Sequence, residues 1–267
     1  MTALKKAAEE LMKSGKVNII IGYREGSNGR IRPHFARKEE EIDPLIFDRR
    51  CTQNLATYLY KKEISGLGKP GIVANIHTLR SIIRLAAEKQ IKEGDLIAIY
   101  VDENDKTAIY SSFDEIEAYL ASETPQISKE DQALLEKLNN MSASERWKFW
   151  QEEMENCMKC YACRQACPLC YCTQCTTEVN RPQWIPVAAS KSGNLEWHIM
   201  RAMHLSGRCI SCGQCGSVCP AGIPIHLLPV KLSEEIKNIY GNTSGMSRSE
   251  NCAMSTYQPD DKENFIG

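Results

Sequence analysis

Apolar residues cluster early in the chain as three short unbroken runs: 17–23 (VNIIIGY), 71–75 (GIVAN) and 96–101 (LIAIYV). Runs of this length, set off by glycine and proline, predict buried strands. Between the second and third, residues 78–90 place Leu79, Ile82, Ile83, Leu85 and Ala86 at helical spacing. Strand, helix, strand with continuous apolar strands predicts a parallel sheet covered by helices. Residues 2–13 predict a short helix, 26–35 (GSNGRIRPHF) a loop, and 48–62 a helix through Leu55, Tyr58 and Leu59. A hairpin turn at 103–105, a strand at 107–110 and a helix at 113–120 complete this part.

The pattern changes after Ser122, where a polar stretch contains Pro125. This predicts a boundary, with an α/β docking domain over 1–125 and a second domain over 126–240. The second is mostly helix and loop. Helices are expected at 132–138, after Ser144 as N-cap, at 194–203, and after Pro220 through Leu227, Leu228, Val230, Leu232, Ile236 and Ile239. Trp147, Trp150, Met154 and Met158 follow at intervals of three and four, the spacing of a packed apolar stripe. Residues 241–267 are polar and turn-rich, an extended tail that is either disordered or wraps a neighbour.

Chemistry concentrates in the second half. Residues 157–168 read CMKCYACRQACP and residues 209–220 read CISCGQCGSVCP. Both have the form C-x2-C-x2-C-x3-C-P, the spacing of proteins that hold two [4Fe–4S] clusters. In that arrangement the fourth cysteine of each run serves the other cluster. Cluster 1 is then expected on Cys157, Cys160, Cys163 and Cys219, and cluster 2 on Cys209, Cys212, Cys215 and Cys167. Zinc sites use separated C-x2-C pairs, and a disulfide framework belongs to small secreted chains. The fold class expected is therefore α/β: a small parallel-sheet N-terminal domain, then a ferredoxin-like domain with two clusters.

Cys170, Cys172 and Cys175 follow the first run and are surplus to those clusters. They suggest a third site, completed by Cys51 or by Cys252, with Cys51 favoured because it opens a helical stretch. The site could hold a third [4Fe–4S], zinc, or no metal. Gly22, Gly26 and Gly29 lie near Arg24, Arg30 and Arg32, which suggests a flavin phosphate site, another anion site, or a docking loop. No G-x-G-x-x-G and no phosphate-loop lysine accompany them. His34 and His77 lack metal partners at motif spacing. His198 and His204 precede the second run, where they either pack or hydrogen-bond sulfur. Arg208 could offset cluster charge, and Gly207, Gly213 and Gly216 could admit backbone amides to it.

Net charge is −1 over 267 residues with 13 cysteines. Each loaded cluster would add about two negative charges, which argues against nucleic acid and anionic membranes as partners. The opening MTALKKAAEELMKSGKVN has no apolar signal core, and no apolar run reaches the ~18 residues of a membrane helix. A cytoplasmic, reducing and anaerobic setting is expected, without membrane insertion. No catalytic triad, metallopeptidase motif or dinucleotide fingerprint supplies substrate chemistry, so an electron relay is expected rather than a self-contained enzyme.

The segments IIIGYREGSNGRIRPHF (19–35), CTQNLATYL (51–59) and GIVANIHTLRSIIRLAAEKQI (71–91) resemble the β-subunit family of coenzyme F420-reducing hydrogenases and F420-dependent formate dehydrogenases. RAMHLSGRCISCGQCGSVCPAGIPI (201–225) resembles ferredoxin-like subunits of heterodisulfide-reductase-type complexes and of tungsten-containing benzoyl-CoA reductases. The resemblance implies a hetero-oligomeric electron-transfer subunit between a donor or acceptor protein and a catalytic oxidoreductase subunit. It implies [4Fe–4S] clusters, FAD in the F420-reactive members, and Cys51 as partner of Cys170, Cys172 and Cys175. Here the turn after the middle strand reads Ala74-Asn75-Ile76-His77, where those members carry glycine and cysteine, which favours a pure relay. An FAD-containing β-subunit and a cluster-assembly scaffold are the alternatives.

Overall fold

A computed structural model describes residues 2–102, 105–179 and 182–249. Helix α1 (Ala3–Lys13), capped by Thr2, precedes a mixed sheet of strands β1 (Ile19–Glu25), β2 (Ile31–Ala36), β3 (Leu45–Ile46), β4 (Pro70–Ala74), β5 (Ile97–Val101) and β6 (Thr107–Tyr110). The order is β2-β1-β4-β5-β6, with β3 also on β1. The strands β1, β4 and β5 run parallel, as their unbroken apolar runs require, whereas β2, β3 and β6 are antiparallel. The expected all-parallel sheet is thus only its centre.

The expected loop at 26–35 is largely strand β2. Its alternation of Ile31, Pro33 and Phe35 was hidden by Pro33, which lacks a backbone donor. An edge strand tolerates that loss, and β2 is at the edge. The helix expected over 48–62 is also absent. Asn54 accepts from the Ala56 amide, starting one short 3-10 turn at Leu55–Tyr58, and α2 covers only Lys62–Ser65. The predicted turn at 103–105 lies partly outside the described residues.

Helix α3 (Ile76–Ala87) connects β4 to β5, and α4 (Phe113–Leu120) packs beside it. Leu79, Ile82, Ile83 and Leu85 are fully buried, the face that the spacing predicted. Gly22 shows how tightly β1 is packed: a Cβ there would lie 2.5 Å from the Leu45 side chain and 3.1 Å from that of Val73.

The rest of the chain is largely helical: α5 (Lys129–Asn140), α6 (Ala143–Glu155), α7 (Ala162–Gln165), α8 (Lys191–His204), α9 (Gln214–Ser217) and α10 (Leu227–Tyr240). The cap of α6 is Ser142 rather than Ser144, because Ser142 and Glu145 form a reciprocal capping box. Trp150 and Met154 enter a second core with Trp197, Ile223 and Val230. Trp147 and Met158 stay outside it, at 52% and 63% exposure, so the expected four-residue stripe is half as long. The described part of the tail folds back on its own chain. The Arg248 guanidinium bonds Glu117 and Asp114 of α4, and its centre lies 5.4 Å from the Phe113 ring. Among the described residues no helix is long and apolar enough to cross a membrane.

Replacing Gly22 with alanine forces Leu45 or Val73 to shift and is expected to lower unfolding free energy by about 1–3 kcal/mol. Urea denaturation of Gly22→Ala measures it.

Candidate functional site

The two cysteine runs fold as one repeated unit. In the first, Lys159 and Tyr161 take left-handed backbone angles, φ 53° and 60°; in the second, Ser211 and Gly213 do so at 58° and 71°. The amide of Lys159 points at the Cys157 sulfur at 3.4 Å, and that of Ser211 at the Cys209 sulfur at 3.3 Å. Each loop then enters a four-residue helix, α7 or α9, and these two helices touch. Three of the four left-handed positions are not glycine, a strain of about 1 kcal/mol each that surrounding contacts must hold in place. Asn194 does part of this, donating to the carbonyls of Met154 and Cys157 at 2.9 and 2.7 Å. Gly216 makes room for His226, whose ring would clash with any Cβ there, and its own amide donates to the Gly213 carbonyl at 3.0 Å.

The thiols draw together around the two loops. Cys157 lies within electrostatic reach of Cys160, Cys163 and Cys219, Cys209 of Cys212 and Cys215, and Cys163 of Cys215. Cys167 and Cys170 hydrogen-bond through their side chains. Arg201, 4% exposed, stands among Cys163, Cys167, Cys170 and Cys215 and donates to the Cys163 carbonyl at 3.0 Å.

The expectation of [4Fe–4S] clusters is overturned. Among the described residues no group of three or more His, Cys, Asp or Glu side chains is placed to hold a metal ion. Cys157, Cys160, Cys163 and Cys219 do not form cluster 1, nor Cys209, Cys212, Cys215 and Cys167 cluster 2; the iron–sulfur and metal-binding reading is withdrawn. Without a metal, burial pushes Cys163 and Cys212 up to about 12 and Cys209 up to about 11.

The third site fails in the same way, for iron–sulfur and for zinc. Cys172 is exposed, and Cys175 lies 3.0 Å from the Thr177 hydroxyl. Cys51 instead faces a cleft that Cys212 also lines. Cys252 lies outside the described residues. Of the residues expected around a flavin phosphate, Gly22 is packed in the sheet, and Arg24 and Arg32 stand opposite each other in the register of the β1–β2 hairpin.

That cleft, of about 900 Å³, opens where β4 and β5 end, between the sheet and the second cysteine loop. His77 sits in it after Asn75, the N-cap of α3. Burial and the nearby Arg80 push its ring down to about 4, so it is neutral at pH 7.

Charged hydrogen bonds that the sequence reading missed join the loops to the sheet. Arg208 was assigned to cluster charge. It bonds Glu88 at 2.7 and 2.6 Å instead, and Arg84 holds the same carboxylate from within α3. Arg80 donates to the carbonyls of Ile210 and Ser244, both at 2.7 Å. Gln214 accepts from the Asn54 amide at 2.9 Å. A usable signal existed for Arg201: Asn194, His198, Arg201 and Leu205 share one helical spacing, which puts an arginine on a buried face.

No protein-family model matches the chain. Fold and site define an α/β sheet joined to a cysteine-rich helical region. In sequence the chain is similar to the F420-dependent formate dehydrogenase subunit beta of Methanocaldococcus jannaschii, 35% identical over 101 residues. The match covers 38% of this chain and spans about a quarter of the relative's length, 26%. The similarity is distant and links the chain to an oxidoreductase-associated subunit in general terms.

Two titrations report on the packing of the cysteine loops. Burial works against the Glu88 charge, but Arg208 and Arg84 hold its carboxyl below the usual 4.5. A depressed acid stabilises the fold above its unfolded value and loses that contribution as pH falls through the folded one. Glu88→Gln is expected to cost about 3 kcal/mol at pH 7, less as pH drops below 4.5. Burial, then Arg201 and Lys159, push His198 down to about 3, its Nε2 3.3 Å from the Cys157 sulfur. Its unfolded form gains a proton first, so acid below 6.5 should destabilise the fold by up to about 1.4 kcal/mol per pH unit. Urea melts of His198→Gln across pH 4–7 should lack that slope.

Proposed function

We propose that the chain is a non-catalytic, electron-transferring subunit of a multi-subunit oxidoreductase in the cytoplasm, set between an electron donor and a catalytic partner subunit. The observation that carries this is the pair of repeated thiol loops, held in strained backbone angles against the sheet. Strain maintained at matching positions of both loops suits a working site better than inert packing. Within the loops 157–175 and 209–219, the exposed Cys160 and Cys172 are the thiols assigned to the role, since accessible thiols exchange electrons reversibly. Similarity to a dehydrogenase β subunit supports the complex. So do the exposed Trp147, Ile199 and Met203 around an apolar groove of about 530 Å³ in the helical region, suited to a protein partner.

The test is purification of the tagged chain without oxygen from its native cells. A catalytic oxidoreductase subunit should copurify in fixed stoichiometry, and its substrate should change the number of alkylatable thiols in this chain. A chain that elutes alone, with thiols indifferent to any copurifying enzyme's substrate, ends the reading.

A further inference from the structure

We infer that the cleft at the carboxyl ends of β4 and β5 binds a planar nitrogen heteroaromatic that carries positive charge. Its volume of about 900 Å³ lies in the range of small-molecule sites, and it opens at the strand ends where α/β sheets take ligands. One wall is aromatic. Tyr100 and Tyr119 have ring centroids 4.7 Å apart, and a hydroxyl–hydroxyl bond of 2.5 Å fixes their mutual position. Such a wall stacks on flat rings and favours cations.

Charge then chooses between a cation and a phosphate-bearing ligand. The lining residues include four carboxylates, Asp48, Asp102, Asp105 and Glu123, against one guanidinium, Arg49. Arg50 neutralises Asp48 at 2.8 Å. The amino end of α3 contributes only about half an elementary positive charge, and Asn75 already caps it. His77 adds none, being neutral, and its buried Nδ1 has no hydrogen-bond partner. Arg80 acts on His77 from outside the lining, but the lining itself holds more carboxylates than cations, which favours a cationic ring over a phosphate-bearing one.

The inference is independent of the subunit role, because binding is measured on the isolated full-length chain. Proflavine, a planar acridinium dye, is titrated by fluorescence anisotropy at low salt, with flavin mononucleotide as the anionic comparison. Proflavine is expected to bind at least 10-fold more tightly. Asp105→Asn with Glu123→Gln should weaken it about 10-fold. Tyr119→Ala should weaken it too, whereas Tyr119→Phe keeps the stacking face and the affinity. Glu10→Gln with Glu130→Gln, exposed and outside the cleft, should change nothing. Circular dichroism checks folding; if Tyr119→Ala unfolds, the Asp105 and Glu123 double variant decides. The inference is overturned if flavin mononucleotide binds as tightly, if the cleft variants leave affinity unchanged, or if both double variants weaken it alike.

Discussion

One carboxylate joins the two halves of this molecule. Glu88 ends α3 and is gripped by Arg84 from its own helix and by Arg208 from the threshold of the second cysteine loop. A charge so nearly buried is tolerable only when paired and fully hydrogen-bonded. The pairing therefore dictates where Arg208 sits, and with it Cys209. Arg80, two turns earlier on α3, repeats the device by holding the carbonyls of Ile210 and Ser244. The loop has little freedom left between these two anchors.

The first loop is held differently. Thr57 donates to the Gln165 carbonyl at 3.2 Å and Tyr60 to that of Cys167 at 3.3 Å. This explains why 48–62 is not a helix. Its side chains are spent on contacts in several directions, which one helical face could not satisfy. The cost of giving up local helix is offset by seating the thiol region on the sheet. Leu169, Leu205 and Ile210 accordingly belong to the core of the sheet domain rather than to the helical one.

The distribution of cysteine follows from this docking. Spacing alone brings the fourth thiol of each run towards the opposite loop, and the structure retains that tendency in the nearness of Cys157 to Cys219. A guanidinium at Arg201 and apolar burial then shape the interior. At Cys163 burial outweighs that guanidinium, and the thiol keeps its proton. The result is twelve free cysteines among the described residues, arranged as neighbours rather than as ligand sets.

The repeated loops, the parallel strand centre and α3 were legible in the sequence, because each is specified by residues close together in the chain. Unbroken apolar runs, helical spacing and cysteine intervals are local quantities. What lay beyond them was decided across long separations. Glu88 meets Arg208, Asn54 meets Gln214, and Arg248 returns to α4. β2 is a strand because β1 offers it an edge, despite Pro33. Whether cysteines with cluster spacing converge on a metal, and whether a glycine serves a ligand or a neighbour's ring, depends on which side chains fill the space between them. That space exists only after distant segments have packed, so periodicity along the chain carries no record of it.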